Sequence, residues 1–313
     1  MIPYEWFISA ANRIEDHINH TPITFDSDLG VYFKWENKQK TGSFKVRGAV
    51  NRVILLESWE LQQGLVTASA GNHGQGVALA AQIVGTRVDV FVSDHAVQSK
   101  IDAMKALGAV IHTVNGGYGL SESMAIDFSQ QNQSTYISPY NDPQVIAGQG
   151  TIGLEVIHDA DLDDSITWVV PVGGGGLISG LGIVKKANNI NSRLIGVQPQ
   201  NSPFTHALFH HGSQEEISDN PTLADGLSGP MQEGSITLPI INNVVDDILI
   251  VSEEEIEQAI AYAWYKYKKV IEGSAAVSLA AVLTGKVKGP ALVVITGGNI
   301  QQETHNKIVT QSK

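Results

Sequence analysis

In ITWVVPVGGGGLISG, residues 166–180, a mostly apolar run passes straight into four glycines and then into a helical pattern. Strand, glycine turn and helix in that order form the unit of a parallel sheet with helices on its faces. A plain tight turn, the alternative reading, needs one or two glycines. Four let the backbone bend sharply and aim successive N–H groups at one point, where the helix N-terminus adds partial positive charge. The stretch therefore predicts a phosphate cup of main-chain donors, built without lysine or arginine.

The same alternation continues on both sides. TRVDVFVS (86–93), VIHTVN (110–115), RLIGVQP (193–199) and PALVVIT (290–296) read as strands. QSKIDAMKALG (98–108) reads as a helix with Ile101, Met104 and Leu107 on one face, and LSESMAIDFSQQN (120–132) as another. LISGLGIVKKAN (177–188), EEEIEQAIAYAWYKYKK (253–269) and SAAVSLAAVLTG (274–285) continue the helical set. The pattern predicts an α/β fold of two open, twisted, mostly parallel sheets flanked by helices. Residues 64–141 are self-contained and predict a small β/α domain. Residues 1–63 and 142–313 then form a large domain, the chain crossing between the two twice. Residues 200–235, rich in Pro, Gly, Ser and His, show no period and read as a surface loop near a ligand.

Of the 313 residues, 42% are hydrophobic and 17% charged, the balance of a folded enzyme rather than a disordered chain. The net charge is −12 and no basic run occurs, which argues against a nucleic-acid partner. The absence of cysteine excludes disulfides, zinc thiolates and cysteine nucleophiles, and fits a reducing compartment. MIPYEWFISAANRIEDHI shows no basic segment followed by an apolar signal core, and no apolar run approaches the ~18 residues of a membrane span. The expectation is a soluble, cytoplasmic protein without a membrane partner.

Three further clusters carry polar groups. SAGNHGQG (69–76) precedes a helical run, so that Ser69, Asn72 and His73 offer donors at a helix start that suits a carboxylate; the bland reading is N-capping. TGGN (296–299) ends the last apolar strand and alone is a turn. Gly148-Gln149-Gly150-Thr151-Ile152-Gly153 matches a dinucleotide fingerprint literally, but it follows no strand-like run and lacks the acidic residue the motif requires. KTGSFKVRGAV (40–50) sets Lys45 just inside a helix start beside Phe44; it is either an exposed helix lysine or a nucleophile.

Taken together, HTPI (20–23), KWENKQKTGSFKVRGA (34–49), SAGNHGQG, IAGQGT (146–151), PVGGGGLISG (171–180), EGSAAV (272–277) and TGGN resemble the fold-type II pyridoxal-phosphate enzymes. The likeness spans nearly the whole chain and is closest to the serine/threonine dehydratase (threonine ammonia-lyase) and serine racemase group, with a tryptophan synthase beta-like fold. It implies that Lys45 bonds pyridoxal 5'-phosphate covalently, with Ser43 capping its helix and Phe44 packed beside the cofactor. Burial beside the aromatic and the helix N-terminus is expected to lower the lysine pKa from about 10.4. By the same resemblance Gly173, Gly174, Gly175, Gly176 and the Leu177 amide hold the phosphate. Asn72 bonds the cofactor's 3-hydroxyl, Thr296 presents its hydroxyl to the pyridine nitrogen, and Glu272 approaches the ring. Ser69, Gly71 and His73 bind the substrate carboxylate.

The implied reaction is loss of water from L-threonine or L-serine to give a 2-oxo acid and ammonia, in a homodimer. Other readings are a dehydratase for phenylserine, 3-hydroxyaspartate or a hydroxyectoine-pathway substrate, a β-replacement synthase, and a non-catalytic binding protein that keeps the fold. ADGLSG (224–229) is expected to shape the side-chain pocket. Ala70 stands where the racemase pattern has serine, so efficient racemisation is not expected. Gln198-Pro199 lacks the acidic residue of metal-binding members, so no metal is expected. The chain stops soon after TGGN, so a regulatory domain and feedback by isoleucine are not expected either.

Overall fold

Ten strands form two sheets in the computed structural model, which describes residues 2–160 and 162–312. The six-stranded sheet runs β1 (Ile23–Asp26), β2 (Val31–Trp35), β10 (Ala291–Ile295), β7 (Thr167–Pro171), β8 (Leu194–Pro199), β9 (Asp247–Val251). The four-stranded sheet runs β5 (Val110–Val114), β4 (Val88–Ser93), β3 (Leu65–Ala68), β6 (Thr135–Tyr136). Every neighbouring pair is parallel except the β1–β2 hairpin.

The central strands are apolar throughout because both faces are covered. Alternate residues of β7 and β10 turn to opposite sides. Val169, Val293 and Ile295 pack with Phe33 of β2 and with Ile256, Ile260, Val277 and Leu279 from the helices Glu253–Tyr267 and Gly273–Leu283. Trp168, Val170, Leu292 and Val294 pack on the other side with Leu177, Ile178 and Leu181 of the helix Gly176–Ala187. A separate core joins β3 and β4 to the helices Lys45–Ile54 and Asn72–Val84 through Val46, Val50, Val77 and Ala81. Among the described residues no helix is long and apolar enough to cross a membrane.

One local expectation fails. Residues 200–235 are not wholly irregular, since Phe204–His211 is helical and Asp225–Leu227 forms a 3-10 turn. The fingerprint-like run at 148–153 lies inside the helix Pro143–Asp159, whose N-cap Asp142 accepts from the Gln144 and Val145 amides. Its glycines serve close packing. A Cβ at Gly148 would stand 2.6 Å from the Arg47 carbonyl oxygen, and one at Gly150 2.4 Å from the Phe7 ring.

Candidate active site

A cavity of about 200 Å³ opens where β3, β7 and β10 end, and Lys45 and Phe44 line it. A clip to the chain beyond β10 fixes their position. The Phe44 amide donates to the Thr296 carbonyl at 3.0 Å, and the Gly298 amide donates to the Gly42 carbonyl at 2.9 Å. Ser43 and Gly297 form an isolated antiparallel bridge. Gly42 has φ +69°, and a Cβ there would stand 2.4 Å from Asn299 Oδ1, so the clip excludes a side chain on both counts.

Lys45 is the first residue of its helix, and its Nζ donates to the Pro139 carbonyl at 3.0 Å. Burial pulls the amine from 10.5 down to about 8, against a smaller upward pull from Glu272. The Phe44 ring centroid lies 5.3 Å away and favours the charged amine, so burial, not the aromatic, does the lowering. Ser43 does not cap this helix. Phe44 occupies the N-cap position, no side chain caps it, and the buried Ser43 Oγ has no partner.

The glycine stretch turns as its sequence suggests. Gly175 adopts φ +84° and opens the helix Gly176–Ala187. A Cβ would meet the Tyr140 ring at 2.4 Å from Gly174 and Ile241 Cδ1 at 2.4 Å from Gly175. Thr205 Oγ1 donates to the Gly173 carbonyl at 2.6 Å and Thr237 Oγ1 to the Gly174 carbonyl at 2.7 Å. Because a trans peptide sets its N–H opposite its C=O, these bonds aim the Gly174 and Gly175 amides the other way. The amides of Gly174, Gly175, Gly176 and Leu177 donate to no protein acceptor among the described residues. Gly173, Gly175, Gly176 and Leu177 line the cavity. Thr205 and Thr237 carried no sequence signal, because one lies in the stretch without a period and the other just beyond it.

Asn72, Glu272 and Thr296 line the same cavity. Asn72 Nδ2 donates to Glu272 Oε1 at 2.6 Å, and Asn299 Nδ2 donates to Asn72 Oδ1 at 2.7 Å. Asn299 was quoted within TGGN without a role. Glu272 is pushed up to about 7, first by burial and then by Asp225, against Lys100 and its hydrogen bonds. Ser69, Gly71 and His73 sit at the start of the helix Asn72–Val84. Ser69 Oγ accepts from the Gly71 amide at 3.1 Å, leaving the Asn72, His73 and Gly74 amides without a protein acceptor among the described residues. His73 Nε2 bonds the Ile137 carbonyl at 3.0 Å, and its buried Nδ1 has no partner. Burial, then Lys45, pulls His73 down to about 3, so its ring is neutral.

Three of the motifs, joined by Glu155, also meet behind Lys45. Arg47, fully buried, bonds both oxygens of Glu36 at 2.8 Å and both of Glu155 at 2.6 and 2.9 Å. It also reaches Thr151 at 3.2 Å and Thr21 at 3.4 Å. Lys34 completes the cluster on Glu155 at 2.5 Å and the Thr21 carbonyl at 2.7 Å. Burial pushes Glu155 up, but Arg47 and Lys34 outweigh it and hold the group below the ordinary carboxylate range.

The family model described as pyridoxal-phosphate dependent enzyme matches residues 14–297. The chain belongs to this family. An L-threonine ammonia-lyase of Thermotoga maritima is 40% identical over 319 aligned positions, covering 99% of this chain and 79% of that one. A serine racemase of Dictyostelium discoideum is 36% identical, covering 96% and 95%. Among solved structures, the processed form of threonine deaminase isoform 2 from Solanum lycopersicum superposes with a TM-score of 0.89 at 30% identity, covering 98% and 92%. The predicted α/β architecture and the pyridoxal-phosphate enzyme class both hold. The site fits the cofactor: four acceptorless amides form a cradle on glycines whose neighbours leave no room for a Cβ, and a buried amine of lowered pKa shares its cavity.

Proposed function

We propose that the chain removes water from a β-hydroxy L-amino acid, L-threonine or L-serine, giving a 2-oxo acid and ammonia. The observation that carries this is a buried lysine amine at about 8 in one cavity with two separate sets of free main-chain donors. Two sets suit two anions, a cofactor phosphate at 173–177 and a substrate carboxylate at 69–74. The names and identities of the relatives support the same substrate class.

Pyridoxal phosphate bound there withdraws electrons from the substrate's α-carbon, which makes the α-proton removable and the β-hydroxyl a leaving group. The chain supplies position and protons. The Gly173–Leu177 amides hold the phosphate without a cation. Asn72, anchored by Asn299 and Glu272, would hold the ring's hydroxyl, Thr296 would offer its hydroxyl to the ring nitrogen, and Phe44 would pack beside the ring. Lys45 Nζ, its pKa lowered to about 8 so that its neutral form is within easy reach, would attach the cofactor and, once released, take the α-proton as general base. Ser69, Gly71 and the His73 amide orient the carboxylate; the His73 ring, neutral and turned to Ile137, adds no charge. Ala70 lines the cavity without a proton to give, which favours elimination over racemisation.

The six-stranded sheet, with residues 1–63 and 142–313, serves as the cofactor domain, and 64–141 as the small domain that brings the carboxylate turn. The enzyme works as a cytoplasmic homodimer, by the general prevalence of two-fold assemblies. The test is 2-oxo acid release from L-serine, L-threonine, threo-phenylserine and 3-hydroxyaspartate, with Lys45→Ala as control. The expected result is highest kcat/KM on threonine or serine, with turnover abolished in the variant. A preference for the bulkier or acidic substrates, or turnover that survives loss of Lys45, overturns the reading.

A further inference from the structure

Lys100, on the helix Gln98–Ala106 beside the four-stranded sheet, reaches across the cavity to Asp225 in the 225–227 turn. Its Nζ lies 2.6 Å from Asp225 Oδ2, 125 residues away in sequence. The two partners differ in surroundings: the Lys100 side chain is 11% exposed, that of Asp225 56%. Lys100 also packs on the carboxylate turn, since a Cβ at Gly71 would stand 3.6 Å from its Nζ. A largely buried ammonium needs a counter-charge, whereas an exposed carboxylate can turn to water at little loss. The amine therefore stands beside Gly71, in the turn that carries the free Asn72, His73 and Gly74 amides, while bound to a carboxylate that is free to leave.

We infer that Lys100 is a substrate-binding residue that grips the amino acid's α-carboxylate, and that Asp225 is an intramolecular placeholder displaced by it. This rests on the reading of residues 69–74 as the carboxylate site. It adds a side-chain cation to a site so far built of main-chain donors. The substrate it selects is one whose only carboxylate is the α-carboxylate. A second carboxylate would find the remaining cavity lysine, Lys45, committed to the chemistry.

The two partners predict opposite signs. In Lys100→Gln, KM for L-threonine rises roughly ten- to hundredfold with kcat nearly unchanged, the loss of one charge-assisted contact. Lys100→Arg retains most of the affinity. In Asp225→Asn the competitor is gone, and KM falls by about threefold. Inhibition by L-alanine, which has no β-leaving group, shifts in the same directions and reads binding without turnover. If the pair is only a tie across the cavity, both Lys100→Gln and Asp225→Asn raise KM or leave it unchanged, and the inference is overturned. Should Lys100→Gln fail to fold, Lys100→Arg and Asp225→Asn carry the sign test, and a rise in KM for Asp225→Asn sinks the idea. Absence of any hydroxy amino acid turnover by the unaltered holoenzyme instead overturns the carboxylate reading on which it stands.

Discussion

Replacing Arg47 with methionine tests whether the charged cluster behind Lys45 holds the helix that carries it. The guanidinium makes two bonds to Glu36 and two to Glu155 at full burial. Methionine keeps most of the volume and removes the charge. Glu155 retains Lys34, but Glu36 keeps only the Thr21 hydroxyl. Orphaning one member of a buried ion pair costs about 3–5 kcal/mol. At pH 7 we expect a loss of that size by urea unfolding, and a midpoint roughly 5–15 °C lower by thermal melting.

The sign with pH follows from Glu155. Its folded pKa lies below the ordinary 4.5, so its stabilising contribution is present above that value and lost as pH falls through the depressed one. The variant lacks most of this contribution, so the gap to the parent narrows on acidification. Arg47→Met/Glu36→Gln should recover part of the loss, because no bare carboxylate is then left buried. A loss under about 1 kcal/mol, or a gap constant with pH, would falsify the electrostatic account. A double variant no better than the single one would place the effect in packing.

Gly174→Ala puts a Cβ 2.4 Å from the Tyr140 ring and should weaken pyridoxal-phosphate binding at least tenfold by spectroscopic titration, about 1–3 kcal/mol of overpacking falling on the cradle; a folded variant with parental affinity would remove these amides from the phosphate site. Glu272→Gln should flatten the pH dependence of apoprotein stability between about 4.5 and about 7, where the raised folded pKa makes the parent lose stability as pH rises. The same change removes the charge that raises Lys45, so the amine's titration, followed by its pH-dependent modification, should move below about 8; movement upward contradicts the stated cause.

Periodicity made the helices and strands around 86–132 and 166–199 legible, because each buries its faces in a regular way. Their observed limits differ from the expected ones by two residues or fewer. The helix Phe204–His211 was hidden because its three histidines blur the apolar face. At the site, the glycines at 173–176 announced themselves because only glycine fits under Tyr140 and Ile241. Thr205, Thr237 and Lys100 did not, since each acts through a partner distant in sequence, and Asp225 was legible only as part of the pocket stretch ADGLSG. Thr205 and Thr237 bond carbonyls 32 and 63 residues away, and no local pattern encodes that. Ser43 shows the reverse failure: a hydroxyl beside a helix start looks like a cap, but the clip to Gly297 turns it away.

That clip explains why one lysine can serve both sheets. The proposed phosphate cradle follows β7, Thr296, the proposed partner of the ring, follows β10, and the proposed carboxylate turn follows β3, all ends of parallel strands, where α/β sheets place ligands. Lys45 follows no strand directly. Its helix packs its apolar side into the core of the four-stranded sheet through Val46, Val50 and Val53, while the residue before it is bonded to the exit of β10. Gly76 on the neighbouring helix allows the approach, since a Cβ there would stand 3.2 Å from the Lys45 carbonyl. The amine is thus fixed relative to the exit of β10 by its N-terminal side and relative to the turn after β3 by its C-terminal side. Neither sheet alone could place it, which is why the proposed chemistry falls to a lysine at a helix start and not to one at a strand end.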